Sequence, residues 1–297
     1  MNPRRLALFL AVVDHGTVTA AAEAVRLAQP ALSRQLKSLQ AELKIKLFEP
    51  SGQRLVLTPG GRAFIPIARR LVQQEIEAVR AVEVLRSGGV RRLACVATGA
   101  SIRGFIARYI AAAGRSIPLI TTRAAGHYAL EPELDRGADF IVTPVAPSGR
   151  LEQELIGVVG VRACVPARHA WEGRDEIGVA ELAGQTLLVP PPHTVSRQLV
   201  DQVLATYDVV PADIIECEDG ATIQALAAAG HGIGMSTEHR EYGTWACELT
   251  TPDGAPMPTM GLWMAWLRGH YAEDLLREIA AGMRPFAAHR SYRPGLT

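Results

Sequence analysis

At 297 residues, 48% of them hydrophobic, with no uninterrupted apolar run of membrane-spanning length, the chain is large enough to bury a sizeable core and excludes a membrane-spanning helix read from hydropathy. The formal net charge is only +1, but residues 1–92 hold 15 Lys plus Arg against 7 Asp plus Glu, and residues 93–297 hold 16 against 23. A basic head therefore precedes an acidic body, and all three lysines (Lys37, Lys44, Lys46) sit in the head, where neutralising phosphates would need them.

The N-terminal MNPRRLALFLAVVDHG has too short an apolar stretch for a signal peptide and leads directly into an amphipathic helix, so a cytoplasmic protein is expected. Four cysteines (Cys95, Cys164, Cys217, Cys247) stand singly, without a C-x-x-C pair. They read as reduced core thiols, with no metal and no cofactor expected, and a redox switch would need folding to bring a second sulfur within reach.

Two short helices joined by a tight connection occupy residues 17–48. Ala20, Ala21, Ala22 and Ala24 keep the first of them, over 18–25, narrow enough for a neighbour to approach closely. In the second, Pro30 marks the first turn, and Leu32, Leu36, Leu39 and Leu43 form one apolar face. Gln29, Ser33 and Lys37 line the opposite face with Arg34 beside them. A polar stripe of this kind also suits a merely solvated helix, but residues 43–50 and 54–58 flank a Ser51-Gly52-Gln53 turn as a two-stranded wing would. Helix, turn, helix and wing make a winged helix-turn-helix, a module that reads double-stranded DNA.

Residues 6–61 resemble the DNA-binding domain of LysR-type transcriptional regulators. The likeness rests on Leu6 and Phe9, on Gly16, Thr17, Thr19, Ala21 and Ala22, on Gln29, Pro30, Leu32, Ser33, Arg34 and Gln35, and on Leu47, Phe48, Leu57 and Thr58. The chain departs from the family pattern at Ala28 (usually Ser), Gln40 (Glu), Lys44 (Gly) and Pro50 (Arg), the last removing a backbone contact at the wing. The residues expected at the operator are Thr19, Gln29, Pro30, Ser33, Arg34, Lys37 and Arg54. Residues 1–58 would form this domain.

A linker helix is expected over 59–88, started by Thr58 and Pro59 and stopped by Ser87-Gly88-Gly89. Phe64, Ala68, Leu71, Ala78, Val82 and Leu85 follow a 3.5-residue repeat, broken by Glu75, and so predict pairing with the same helix of a second subunit. Packing on the chain's own body is the alternative. Pro66 should kink this helix or delay its regular hydrogen bonding.

From residue 89 on, short β-branched runs at 92–98, 117–122, 139–144, 160–166 and 186–191 alternate with helical stretches at 102–113, 195–207 and 221–229. This pattern predicts α/β with parallel sheets and ligand crevices at strand ends. The family resemblance, weaker here, implies an effector-binding domain of two α/β subdomains like type 2 periplasmic binding proteins. Subdomain I would span about 91–161 and 265–290, with a last helix at 271–283, and subdomain II about 162–264. The resemblance also implies two dimers joined through their bodies into a tetramer, with RNA polymerase a further candidate partner.

In the cleft, Thr98, Gly99, Ala100 and Ser101 open a helix and could receive a carboxylate, although Ser101 serves equally as a helix cap. Arg123, Thr143, Pro192, His193 and Thr194 also follow strands and complete the expected site, which points to a small organic acid. The competing reading, an α/β enzyme or a binding protein without transcriptional output, leans on GHGIG at 230–234. There the glycines follow a helix and precede a strand, the reverse of a dinucleotide fingerprint, and no G-x-S-x-G, H-E-x-x-H or P-loop is present.

Overall fold

The computed structural model describes residues 2–51 and 54–287. Its described residues pack as two units, one holding 2–89 with Asp135–Gly137 and the other holding Val90–Leu134 and the residues from Ala138 on.

In the first unit, the Asn2 side chain caps α1 (Pro3–His15) and Gly16, at φ 74°, ends it. Thr17 caps α2 (Val18–Ala24) by accepting the Ala20 N–H at 3.1 Å. Helix α3 (Gln29–Leu43) carries Pro30 in its first turn, lacks a side-chain cap at Ala28, and ends at Lys44 in the left-handed conformation, φ 57°. Leu32, Leu36 and Leu39 are buried against Leu6, Phe9 and Val12 of α1 and Ala21 and Ala22 of α2. The missing cap leaves first-turn N–H groups without a side-chain partner. Ala28→Ser should therefore stabilise the head by about 1 kcal/mol. A urea midpoint that stays put or falls would refute that account of the cap.

The wing pairs β1 (Phe48–Ser51) antiparallel to β2 (Arg54–Leu57), in the register Phe48 to Leu57. Its expected turn residues Gly52 and Gln53 lie outside the described residues. Gln40 ties the entry to the wing, its Oε1 accepting the N–H groups of Leu47 at 2.7 Å and Phe48 at 3.1 Å. Thr58 starts α4 (Pro59–Ser87): its Oγ1 accepts the Gly61 N–H and donates to the Lys46 carbonyl. Gly61 lies so close to the wing that a Cβ there would meet the Leu47 carbonyl oxygen at 2.1 Å.

Helix α4 runs on through Pro66 as one helical span. Its apolar spacing also serves two purposes rather than one. Phe64 and Ala68, assigned by their period to a subunit seam, are buried in the head's own core, with the Phe64 ring 5.7 Å from Phe9. Leu71 is half-buried against the same cluster. Farther along, Ala78 is exposed, as are Val79, Val82 and Leu85, at 63%, 56% and 84% for the last three.

The second unit holds two sheets. The first is built from β3 (Arg92–Ala97), β4 (Leu119–Ala124), β5 (Phe140–Thr143), β6 (Leu151–Val159) and the late strand β13 (Met260–Leu267), in the order β4-β3-β5-β13-β6. Between β3 and β4 the chain forms a short α-turn, α5 (Gly99–Ser101), a π-helical turn over Ile102–Ile106, and α6 (Ala107–Ala113). Helix α7 (Leu130–Leu134) precedes β5. The last helix, α10 (Glu273–Ala287), brings Leu276, Ile279 and Met283 onto Leu93, Phe140, Met264 and Trp266.

The second sheet runs β10-β9-β11-β7-β12-β8, from β7 (Arg162–Val165), β8 (Glu176–Gly178), β9 (Thr186–Val189), β10 (Asp213–Glu216), β11 (Ile233–Ser236) and β12 (Trp245–Thr250). Helices α8 (Val195–Thr206) and α9 (Gly220–Ala228) connect its strands. Both sheets are mixed rather than parallel: β13 runs antiparallel to β5 and β6, and β7 antiparallel to β11 and β12. The chain leaves the first sheet after Val159, enters the second at Arg162, and returns with β13 at Met260 rather than near Met264. The glycines of GHGIG stop α9, with Gly230 at φ 82°, and lead into β11.

Candidate functional site

Two regions concentrate polar and charged side chains, one in each unit. On α3, Gln29, Pro30, Arg34 and Lys37 are exposed, Ser33 is half-buried, and Thr19 is exposed on α2. Among the described residues, no hydrogen bond or ion pair engages the side chains of Arg34 or Lys37. The neighbouring Gln35 and Glu42 are instead held by Arg5 of α1, at 3.2 Å and 3.1 Å. Leucines lock one side of the helix and Arg5 braces its flank, so the cationic pair is presented to the outside on a rigid element. Arg54 opens β2 of the wing.

The second region is a cleft of about 300 Å³ between the two sheets of the body. Thr98, Gly99, Ala100 and Ser101 line it from the first sheet, and His193, Thr194, Val195 and Ser196 from the second. The cap of the first helical start is Thr98, not Ser101. Its Oγ1 accepts the Ser101 N–H at 3.2 Å and sits 2.9 Å from the Ser101 hydroxyl. Across the cleft, Thr194 caps α8, accepting the Arg197 N–H at 3.3 Å.

Three expected cleft residues lie elsewhere. The Arg123 guanidinium is held by Glu133 of α7. Thr143 is buried and turns its hydroxyl to the Val145 N–H, leaving Pro144 at the lining. Pro192 is exposed to solvent, and Pro190 takes the lining position. Following a strand end places a residue near the crevice but does not decide which side it faces.

Residues that spacing did not reveal carry most of the cleft's charge: Arg103, Arg162, Glu218, Asp219, Glu238 and Glu248. Arg103 on the π-helical turn donates to both carboxylate oxygens of Glu238, at 3.3 Å and 2.9 Å, and Arg162 donates to the Glu238 carbonyl. His127 also lines the cleft. Burial, and secondarily the nearby His193, lowers its pKa from the ordinary value, which favours the neutral imidazole near pH 7.

All four cysteines are buried. Burial raises the Cys164 and Cys247 thiols to about 11 and pushes Cys95 and Cys217 upward as well. Cys164 pairs with Ala246 and Cys247 with Ala163 across neighbouring strands, so the two side chains point to opposite faces of the sheet. Protonated, shielded thiols are poor nucleophiles, the reverse of a reactive sensor cysteine.

Residues 3–62 match the model of the bacterial regulatory helix-turn-helix protein, LysR family, and residues 86–285 match the LysR substrate binding domain. Among curated relatives, the HTH-type transcriptional regulator CbbR of Rhodospirillum rubrum is 27% identical over 237 residues, covering 78% of each chain. The nitrogen assimilation regulatory protein nac of Escherichia coli K12 is 28% identical over 268 residues, covering 85% of each.

Among solved structures, full-length OxyR from Pseudomonas aeruginosa superposes with a TM-score of 0.69 at 19% identity, over 100% of this chain and 99% of that one. Full-length CbnR complexed with its target DNA gives 0.64 at 19% identity, over 97% and 100%. At that identity the likeness speaks for the fold. The chain belongs to the LysR family of bacterial transcriptional regulators. It is a DNA-binding regulator with an effector-binding domain, and its relatives are regulators rather than enzymes.

Proposed function

We propose that α3 enters the major groove of an operator, with Gln29, Ser33 and Arg34 at base edges and Lys37 at phosphate, and that a small molecule in the body cleft changes how the operator is held. The observation that carries the first part is the outward pair Arg34 and Lys37 on a helix otherwise locked by leucines. Regulators of this family bind DNA and small-molecule effectors and form oligomers. In this chain the exposed half of α4, rather than its first turns, supplies the apolar surface for a second copy. Residues 1–58 serve as the DNA-binding domain, 59–88 as the linker helix and 89–297 as the effector domain, with assembly into a dimer of dimers in the cytoplasm and RNA polymerase as the eventual partner.

The effector is a small organic acid or similar polar molecule of a size that a cavity of about 300 Å³ admits. A ligand moves the equilibrium only if it binds one arrangement of the two subdomains more tightly than another. A thermal-shift screen of small organic acids should find stabilising compounds whose effect is lost in Ser101→Ala or Thr194→Ala, with operator affinity or DNA bending changing in parallel. Ligands indifferent to both substitutions would place the effector site elsewhere.

A further inference from the structure

Glu238 joins the two halves of the cleft. It follows β11 of the second sheet, and its carboxylate receives Arg103, which stands on the π-helical turn after β3 of the first sheet. The contact is built from several sides. Arg162, at the start of the strand by which the chain enters the second sheet, donates to the Glu238 carbonyl, and the Ser236 hydroxyl accepts the Glu238 N–H at 3.1 Å. Gly104 packs with its Cα side 3.7 Å from the Glu238 backbone, judged by where a Cβ would stand. Gly220, the first residue of α9, leaves room for the carboxylate itself: a Cβ there would lie 2.5 Å from it. The acid is thus seated at the start of α9, where N–H groups favour a negative charge.

The pair is asymmetric. The Glu238 side chain is only 7% exposed, whereas that of Arg103 is 45% exposed. A molecule arriving from solvent therefore meets the guanidinium, not the carboxylate. Arg103 also lies beside the helical start that lines the cleft, its Nη1 3.3 Å from where a Cβ of Gly99 would be. Arg162, the other guanidinium of the lining, is also turned to Glu238. An acid entering the cleft has no arginine available there that is not already directed at this one residue.

We propose that Glu238 is a resident competitor for Arg103: the carboxylate of an anionic effector and that of Glu238 are alternatives on the same guanidinium, so binding of the one releases the other and with it the contact between subdomains. This rests on the cleft being the effector site. It makes Glu238 the residue that sets how strongly the cleft discriminates against anions, because any acid must first overcome a neighbour already in place. It also links occupancy to the relation of the two subdomains, since the bond being exchanged spans them.

The test uses full-length protein and two readouts. In amide hydrogen exchange without ligand, Glu238→Gln and Arg103→Gln should each raise exchange at residues 102–106 and 236–239 together by about tenfold, in the range of ordinary coupling. Arg103→Lys, which keeps the cation, should retain more of the protection than Arg103→Gln, a difference that a merely space-filling role would not produce. In titrations with acetate, benzoate and inorganic phosphate, Glu238→Gln should bind at least one of them about tenfold more tightly than the wild type, and adding Arg103→Gln to that variant should remove the gain. No tighter binding of any of the three by Glu238→Gln, or unchanged exchange in both single variants, overturns the proposal. Thr194→Val in the same titrations separates this from the cleft itself. If it abolishes anion binding while Glu238→Gln behaves as wild type, the cleft stands and the competition does not.

Discussion

Replacing Arg34 with alanine should cost about 1–3 kcal/mol of operator affinity and flatten the preference for operator over scrambled duplex. The expectation follows from position: Arg34 is exposed, its side chain makes no hydrogen bond or ion pair among the described residues, and it stands on a helix fixed by Leu32, Leu36 and Leu39 beneath it. Removing its side chain therefore costs the protein nothing internally, and whatever is lost is lost at the DNA. Lys37→Ala should behave differently, weakening all sequences alike and reducing the slope of affinity against salt by about one. Fluorescence anisotropy with both duplexes at several salt concentrations separates the two. Operator affinity unchanged in Arg34→Ala would remove α3 from the major groove.

The second large effect is expected at the far half of α4. Val79, Val82 and Leu85 expose apolar side chains along one helix, an arrangement that a lone chain gains nothing from. Val82→Asp would place a charge in the apolar seam with no partner, at a cost of several kcal/mol if it stayed paired. The dimer should accordingly split, and operator binding should fall with it, because one recognition helix then acts alone. Leu71→Asp is a less clean test, since Leu71 also packs on the head core and its loss would unsettle that fold. Light scattering decides the matter: a wild type already monomeric at micromolar concentration would defeat the seam.

The sequence shows the head clearly because its signals are local. The leucine period of α3, the cap at Thr58 and the two strands of the wing each depend on residues within a few positions of one another, and each appears where its spacing puts it. The 3.5-residue repeat of α4 is legible too, yet a period says only that a face is covered. It does not distinguish Phe64, covered by Phe9, from Val82, which the chain leaves open.

The body is less legible for a related reason. Apolar runs such as β13 do not announce their direction, and the antiparallel pairing of Met264 with Val142 joins residues too far apart for any periodicity to register. The helical start at residues 98–101 lines the cleft as its sequence implies, but Arg103 and Glu238 are 135 positions apart and meet only once both sheets are folded. Arg123, chosen for standing at a strand end, is instead committed to Glu133.

The departures from the family pattern also acquire physical content. Lys44 adopts the left-handed conformation that glycine would take without strain, and Gln40 performs its tie to Leu47 and Phe48 through a neutral oxygen. All four cysteines are buried, and burial pushes their thiols upward, which leaves none of them activated as a nucleophile.

The central claim is that this chain reads a DNA sequence as a dimer, and the most direct measurement is selection of bound duplexes from a random pool by the full-length protein, followed by titration of the selected sequence against salt. The account predicts enrichment of a two-fold-related pair of half-sites, bound more tightly than random duplex by a factor on the order of 10³ or more. That preference should disappear in Arg34→Ala. A pool that emerges without a shared sequence, or one in which wild type and Arg34→Ala select alike, would contradict it.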